Sequence, residues 1–207
     1  MVPSVRSQVV GVLLLLALVV SLGAWSAAHH LNPRNFGVVA EGKVYRSAEL
    51  EPAALARVVR ERGIRTIIDF RIDDPEVVLR REQKTAEALG VERIVLPMEG
   101  DGQGNLNNYI QALRIMTDPA RQPVLVHCAA GAQRTGCASG LYRIVVEGWT
   151  PERAFDEALS FDHDPAKNPH VRRILEVESA RIGEAFRSGG TLPDMPAVGR
   201  STRDQAP

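Results

Sequence analysis

The chain has no excess of charge. Its 25 Lys and Arg are matched by 25 Asp and Glu over 207 residues. A sequence so balanced offers no broad field of one sign, which excludes non-specific nucleic-acid binding as a reading of its composition; no nucleic-acid partner is expected. Cysteine is nearly missing, with two in the whole sequence, and that excludes a disulfide framework. Histidine is scarce as well. The one adjacent pair, His29–His30, has no further ligand type close by and reads as solvated rather than metal-binding. No internal repeat divides the chain. What remains is enough sequence for one domain with a substantial core.

Against that scarcity, residues 123–137 concentrate the chemistry: Pro123-Val124-Leu125-Val126-His127-Cys128-Ala129-Ala130-Gly131-Ala132-Gln133-Arg134-Thr135-Gly136-Cys137. The apolar run reads as a buried strand. Small residues follow, and an apolar segment then reads as a helix over 136–147. A strand, a small-residue loop and a helix N-terminus form an anion site, because successive backbone amides and the helix dipole present positive charge. A thiol at such a terminus beside a cation has a depressed pKa, and the thiolate is the nucleophile. Cys128 is therefore expected to attack phosphorus. The planar fork of Arg134 matches two phosphate oxygens. The amides of Ala129, Ala130, Gly131, Ala132, Gln133 and Arg134 would hold the others as charge shifts. Thr135 is placed to hydrogen-bond the sulfur as it leaves, and His127 to orient the loop.

Elsewhere the pattern alternates. It predicts a strand at 43–45, an amphipathic helix over 52–62 closed by Gly63, a strand at 66–70, and a helix starting near Asp73-Asp74-Pro75 and closed by Gly90. A strand at 91–96 follows, then a glycine- and acid-rich loop at 97–105 that reads as mobile, then a helix over 107–116. Thr150 and Pro151 cap a helix to about Phe161, and a last helix covers 169–186. Residues 29–41 read as a linker, 42–187 as the catalytic domain and 188–207 as a disordered tail. The expected fold is α/β, with a mainly parallel central sheet flanked by helices and the catalytic loop at a strand's carboxyl end. Residues 9–28 are uncharged and long enough to span a bilayer. This predicts an N-terminal transmembrane helix with the catalytic domain outside the cytoplasm (periplasmic in a bacterium). The alternative is a signal peptide cleaved near Ser26-Ala27-Ala28, giving a secreted protein.

The His-Cys, five residues, Arg-Thr pattern resembles the signature of the cysteine-dependent protein tyrosine phosphatase superfamily. With Asn35-Phe36, Gly42-Lys43-Val44-Tyr45-Arg46-Ser47 and Thr66-Ile67-Ile68-Asp69-Phe70-Arg71, the chain looks like the compact dual-specificity phosphatases over about residues 35–185. It is most similar to the atypical branch of plants, fungi and bacteria. The resemblance implies the dual-specificity phosphatase fold and phosphate monoester hydrolysis through a phosphocysteine, with no metal or other cofactor. It also implies a general acid on a loop ahead of the catalytic strand. Asp101 is the aspartate of that loop and Glu99 the alternative; Asp69, in a buried strand, is expected to be structural. The expected partner is a phosphorylated protein or a small phosphate ester. Members that hydrolyse inositol pyrophosphates carry basic residues inside the loop, where this sequence has Ala129, Ala132 and Gln133. An inositol phosphate or phospholipid phosphatase of the same fold is the alternative function. A rhodanese-like sulfurtransferase and a non-catalytic phosphate-binding pseudophosphatase are the remaining ones. Cys137 reads as a helix-packing residue, with a redox partnership to Cys128 as its other reading.

Overall fold

The structure is a computed structural model that describes residues 14–21, 33–72 and 76–193. Contacts divide it into two units, residues 1–33 and the domain from Arg34 onward. In the first, residues 14–21 are helical. The predicted anchor over 9–28 otherwise lies outside the described residues, as do residues 194–207 of the predicted tail. Among the described residues, no helix is long and apolar enough to cross a membrane.

The domain is built on a five-stranded sheet in the order β1-β2-β5-β3-β4. The strands are β1 (Gly37–Ala40), β2 (Val44–Ser47), β3 (Thr66–Asp69), β4 (Glu92–Val95) and β5 (Val124–His127). Only the β1–β2 pair is antiparallel. The register aligns the last residues of four parallel strands: Ser47 opposite His127, His127 opposite Asp69, and Asp69 opposite Val95. Alternation along each strand then sorts side chains to two faces. Tyr45, Ile67 and Leu125 pack on one side with α1 (Pro52–Arg62) and with Ala86 of α2 (Glu76–Ala88). Val44, Ile68, Val124 and Val126 pack on the other side. There they meet α3 (Asn107–Thr117), α4 (Gln133–Val145), α5 (Pro151–Leu159), α6 (His170–Arg173) and α7 (Ser179–Ser188).

Local signals set the element ends. Pro52 stands at the first turn of α1, and Gly63 ends it at φ 64°, a left-handed cap that a side chain would strain. Thr150 accepts the Arg153 amide at the start of α5. Three expectations are corrected. Residues 29–41 are not all linker: Gly37–Ala40 pairs with β2 through a turn at Gly42, φ 70°. With four residues, of which only Val39 is fully buried, β1 is too short for its period to be read. The catalytic helix starts at Gln133 rather than Gly136, so Arg134 and Thr135 belong to its first turn. The last helix carries a π-helical turn, Ile174–Glu178, between α6 and α7. Leu175 of this turn packs against Gly140 of α4, where a Cβ would lie 2.7 Å from Leu175 Cδ2.

Candidate active site

The loop between β5 and α4 begins at Cys128, which is 1% exposed. Its shape is held from outside, through three consecutive carbonyls. The Glu49 amide donates to the Ala129 oxygen (3.1 Å). Asn35 Nδ2 donates to the Ala130 oxygen (2.8 Å), and Arg46 Nη2 to the Gly131 oxygen (2.6 Å). A planar peptide that turns its C=O outward turns its N–H inward. The amides of Ala130, Gly131 and Ala132 are therefore directed to the concave side, and the Gly131 amide donates to Cys128 Sγ at 3.3 Å. Gly131 itself is required. It sits at φ 71°, and a Cβ there would lie 2.5 Å from the Ala48 nitrogen.

Arg134 is 9% exposed. Its Nη1 donates to the carbonyls of Phe70 (3.2 Å) and Met98 (3.3 Å), residues just beyond the ends of β3 and β4. Nε keeps no protein partner. The guanidinium is thus anchored on one edge and has donors left for an anion. Burial pushes the Cys128 thiol pKa up, but the Arg134 charge and hydrogen bonds from Thr135 and the Gly131 amide outweigh it, so the net shift is downward. Thr135, fully buried, has no other partner for its hydroxyl.

His127 faces the other way, into a buried ionic cluster. Its Nε2 lies 2.7 Å from Glu82 Oε1, and its Nδ1 is 3.4 Å from the Cys128 carbonyl oxygen. Arg71 donates to both oxygens of Asp69 (2.9 and 2.8 Å) and to Glu82. Arg93 donates to Asp69. Asp69 is fully buried at the end of its strand, bonded by both arginines. Asp69, Glu82 and His127 bring one ligand atom each within 4.8 Å of one another; Arg71 and Arg93 already supply the positive charge there. Burial would lower the His127 pKa, but Glu82 and Asp69 outweigh it and raise it to about 9. Burial would likewise raise the Asp69 pKa, and His127, Arg71 and Arg93 push it well below the usual range instead.

His127 contributes stability that is complete below its ordinary value near 6.5 and is lost as pH rises through about 9. Asp69 contributes stability present above the ordinary carboxylate range and lost as pH falls through its depressed value. Stability is expected to decline between pH 6.5 and 9, on the order of 3 kcal/mol, and the melting temperature to fall with it. In His127→Gln that decline should flatten. An equal slope in both proteins would remove His127 as its source.

The loop ahead of α3 is cross-bonded. The Glu99 amide donates to the Gln103 oxygen (2.9 Å) and the Gly102 amide to the Glu99 oxygen (2.8 Å). Tyr109 donates its hydroxyl to the Gly102 carbonyl (2.8 Å). Gly102 lies against Cys137, with 3.0 Å from a built Cβ to Sγ, so the Asp101 segment rests on the first turns of α4. The Asp101 carboxylate accepts from the Gln103 amide (2.9 Å) and Gln103 Nε2 (2.8 Å), with His170 Nε2 at 3.7 Å. Asp101 and Glu99 are both half-buried. Cys128 and Cys137 are not bonded to each other. Burial pushes the Cys137 thiol up to about 12.

Sequence reasoning singled out Cys128, Arg134, Thr135, His127, Asp101 and Glu99. It missed the outer clamp of Asn35, Arg46 and Glu49, and the partnership of His127 with Glu82. The available signal was an arginine and a serine at the end of a buried strand, Arg46 (1% exposed) and Ser47, where charge needs a reason.

A mainly parallel sheet whose central strand delivers a buried cysteine into an amide-lined loop closed by an arginine defines a cysteine-based phosphate site. The chain belongs to the tyrosine phosphatase family, whose model matches residues 30–182. It is similar to the dual specificity protein phosphatase TpbA of Pseudomonas aeruginosa, 31% identical over 160 residues, 75% of this chain and 68% of that one. It is also similar to the inositol diphosphatase SIW14 of Saccharomyces cerevisiae, 27% identical over 165 residues, 78% of this chain but only 57% of the yeast protein. The crystal structure of TpbA in complex with pTyr shares the fold, with a TM-score of 0.62 and 23% identity over 75% of this chain and 91% of that one.

Proposed function

We propose that the chain hydrolyses phosphate monoesters through a phosphocysteine on Cys128. The observation that carries this is the Cys128 sulfur, bonded by the Gly131 amide at 3.3 Å, at the base of a loop whose carbonyls are pinned outward. The sulfur attacks phosphorus. The S–P bond forms while the P–O bond to the leaving group breaks, with Arg134 and the amides of residues 129–134 holding the phosphoryl oxygens. Asp101 gives its proton to the leaving oxygen. Water then attacks the phosphocysteine, Asp101 takes a proton from that water, and the thiolate leaves with the Thr135 hydroxyl beside it.

A phosphorylated tyrosine, serine or threonine of a protein is the substrate class we favour. The relative TpbA is named a dual specificity protein phosphatase, and the interior of this loop carries no side-chain charge except Arg134. That composition disfavours a densely phosphorylated inositol, although the relative SIW14 is named an inositol diphosphatase. Turnover of a generic aryl phosphate in the presence of chelator tests the reaction class. Absence of turnover by folded protein, or turnover abolished by chelator, overturns it.

The proposed domain begins by Arg34 and includes β1. Residues 9–28, uncharged throughout, are proposed to tether it to a membrane with the catalytic domain on the non-cytoplasmic side. Fractionation of expressed full-length chain tests this: recovery in the soluble fraction with its N-terminus intact would sink the tether, and recovery with residues 1–28 removed would favour a cleaved signal.

A further inference from the structure

Arg46 is a buried cation with no acid of its own. It stands third in β2, opposite Val126 of β5, and is 1% exposed. Its Nη2 donates to the Gly131 carbonyl at 2.6 Å, while Nε has no partner. Its guanidinium carbon lies 3.7 Å from the centre of the Phe161 ring. Among the described residues no carboxylate reaches ion-pair distance of it. The strongest acid in its field is Glu157 of α5, and Arg143 of α4 already bonds that carboxylate at 2.6 Å. Burying an uncompensated charge costs several kcal/mol, so a fold that keeps one has a counter-charge for it nearby. Burial lowers the Arg46 pKa only to about 10, and the sulfur of Cys128 is among the groups that hold it up.

The local structure is arranged around this side chain. Gly37 of β1 has no Cβ, and one added there would lie 2.5 Å from Phe161 Cζ. The bare glycine admits the ring, the ring stacks on the guanidinium, and the edge of the guanidinium bonds the loop. A guanidinium can stack and donate in plane at once, and an ammonium cannot do both.

We infer that Arg46 is a positioning residue with two effects: it holds the peptide between Gly131 and Ala132 with its N–H turned into the loop, and from outside that carbonyl it adds a second, buried positive charge, beside that of Arg134, that favours the ionised Cys128 and tightens phosphate binding. The inference rests on the phosphatase reading for its consequence, but the state of the thiol is measurable without turnover. The other groups facing the sulfur are Arg134 and Thr135 of α4, Cys137 and Tyr109. Burial raises the pKa values of Cys137 and Tyr109, so both stay uncharged near neutral pH. Arg143, Glu157 and Cys137 complete the set around Arg46.

The test is the rate of Cys128 alkylation by iodoacetamide against pH, read on the Cys128 peptide by mass. Wild type is compared with Arg46→Gln, which keeps a donor without charge, and Arg46→Lys, which keeps the charge. Protection by inorganic phosphate is measured on the same proteins. At pH 6 the Gln variant is expected to react roughly tenfold more slowly than wild type, and to need roughly tenfold more phosphate for protection. The Lys variant, which keeps the charge but gives up either the stack or the bond, should recover part of both. Coincident profiles for all three folded proteins overturn the inference. Equal losses in Gln and Lys overturn the charge effect and leave only a clamp. Should the Gln variant fail to fold, Phe161→Leu, which opens the guanidinium to water, is expected to slow alkylation about two- to threefold; an unchanged rate then overturns the inference. Turnover persisting in Cys128→Ser would instead remove the phosphocysteine reading and leave the alkylation comparison standing.

Discussion

Cys128→Ser is expected to lower phosphatase activity on the order of 10⁴-fold or more, while the folded variant still binds inorganic phosphate. The magnitude follows from the nucleophile's place in the reaction: without a thiolate no covalent intermediate forms, and the binding loop alone accelerates little. Binding persists because the cradle does not depend on sulfur. Its carbonyls are pinned by Glu49, Asn35 and Arg46, and Arg134 is anchored on the carbonyls of Phe70 and Met98. Steady-state rates and phosphate titration by calorimetry check both halves. A variant that retains more than about a hundredth of wild-type turnover would contradict the assignment of Cys128.

Asp101→Asn is expected to cost about 10²-fold or more on substrates with poor leaving groups, and much less on an aryl phosphate whose phenol is acidic. A general acid matters in proportion to the basicity of the oxygen it must protonate, so the loss should grow steadily along a series of substituted phenyl phosphates. Glu99→Gln should change rates by no more than a few-fold across the same series. The structure places both carboxylates in one turn, with Asp101 bonded by Gln103 and next to His170, so the kinetics must separate them. If the Glu99 variant shows the leaving-group dependence, the acid is Glu99. If neither does, the acid lies elsewhere and the reaction class is untouched.

The reactive loop was legible because its chemistry is local. A strand, a cysteine, small residues and Arg-Thr at helix entry lie within fifteen consecutive positions, and the backbone amides that bind an anion come with that geometry. The helices α1 and α5 were legible for similar reasons: Pro and Thr-Pro starts and a glycine stop act within one turn. Long-range partners were not legible. Arg46 and Asn35 reach the loop from 85 and 95 residues away. Glu82 meets His127 only because the sheet register sets Asp69 beside His127 and α2 passes below. Charges on a helix ordinarily read as a solvated face, and Glu82 is 6% exposed for tertiary reasons alone. The loop over 97–105 shows the same limit. Its composition does not show that the Tyr109 hydroxyl bonds the Gly102 carbonyl or that Glu99 and Gln103 close a turn.

The most direct test of the central claim is capture of the intermediate. Asp101→Asn, which lacks the base for the second step, is mixed with an aryl phosphate of acidic phenol, quenched in acid and digested. The account predicts one added phosphoryl group, on the peptide that contains Cys128 and on that residue. A phosphoryl group on any other side chain, or wild-type-like turnover with none on Cys128, would contradict it.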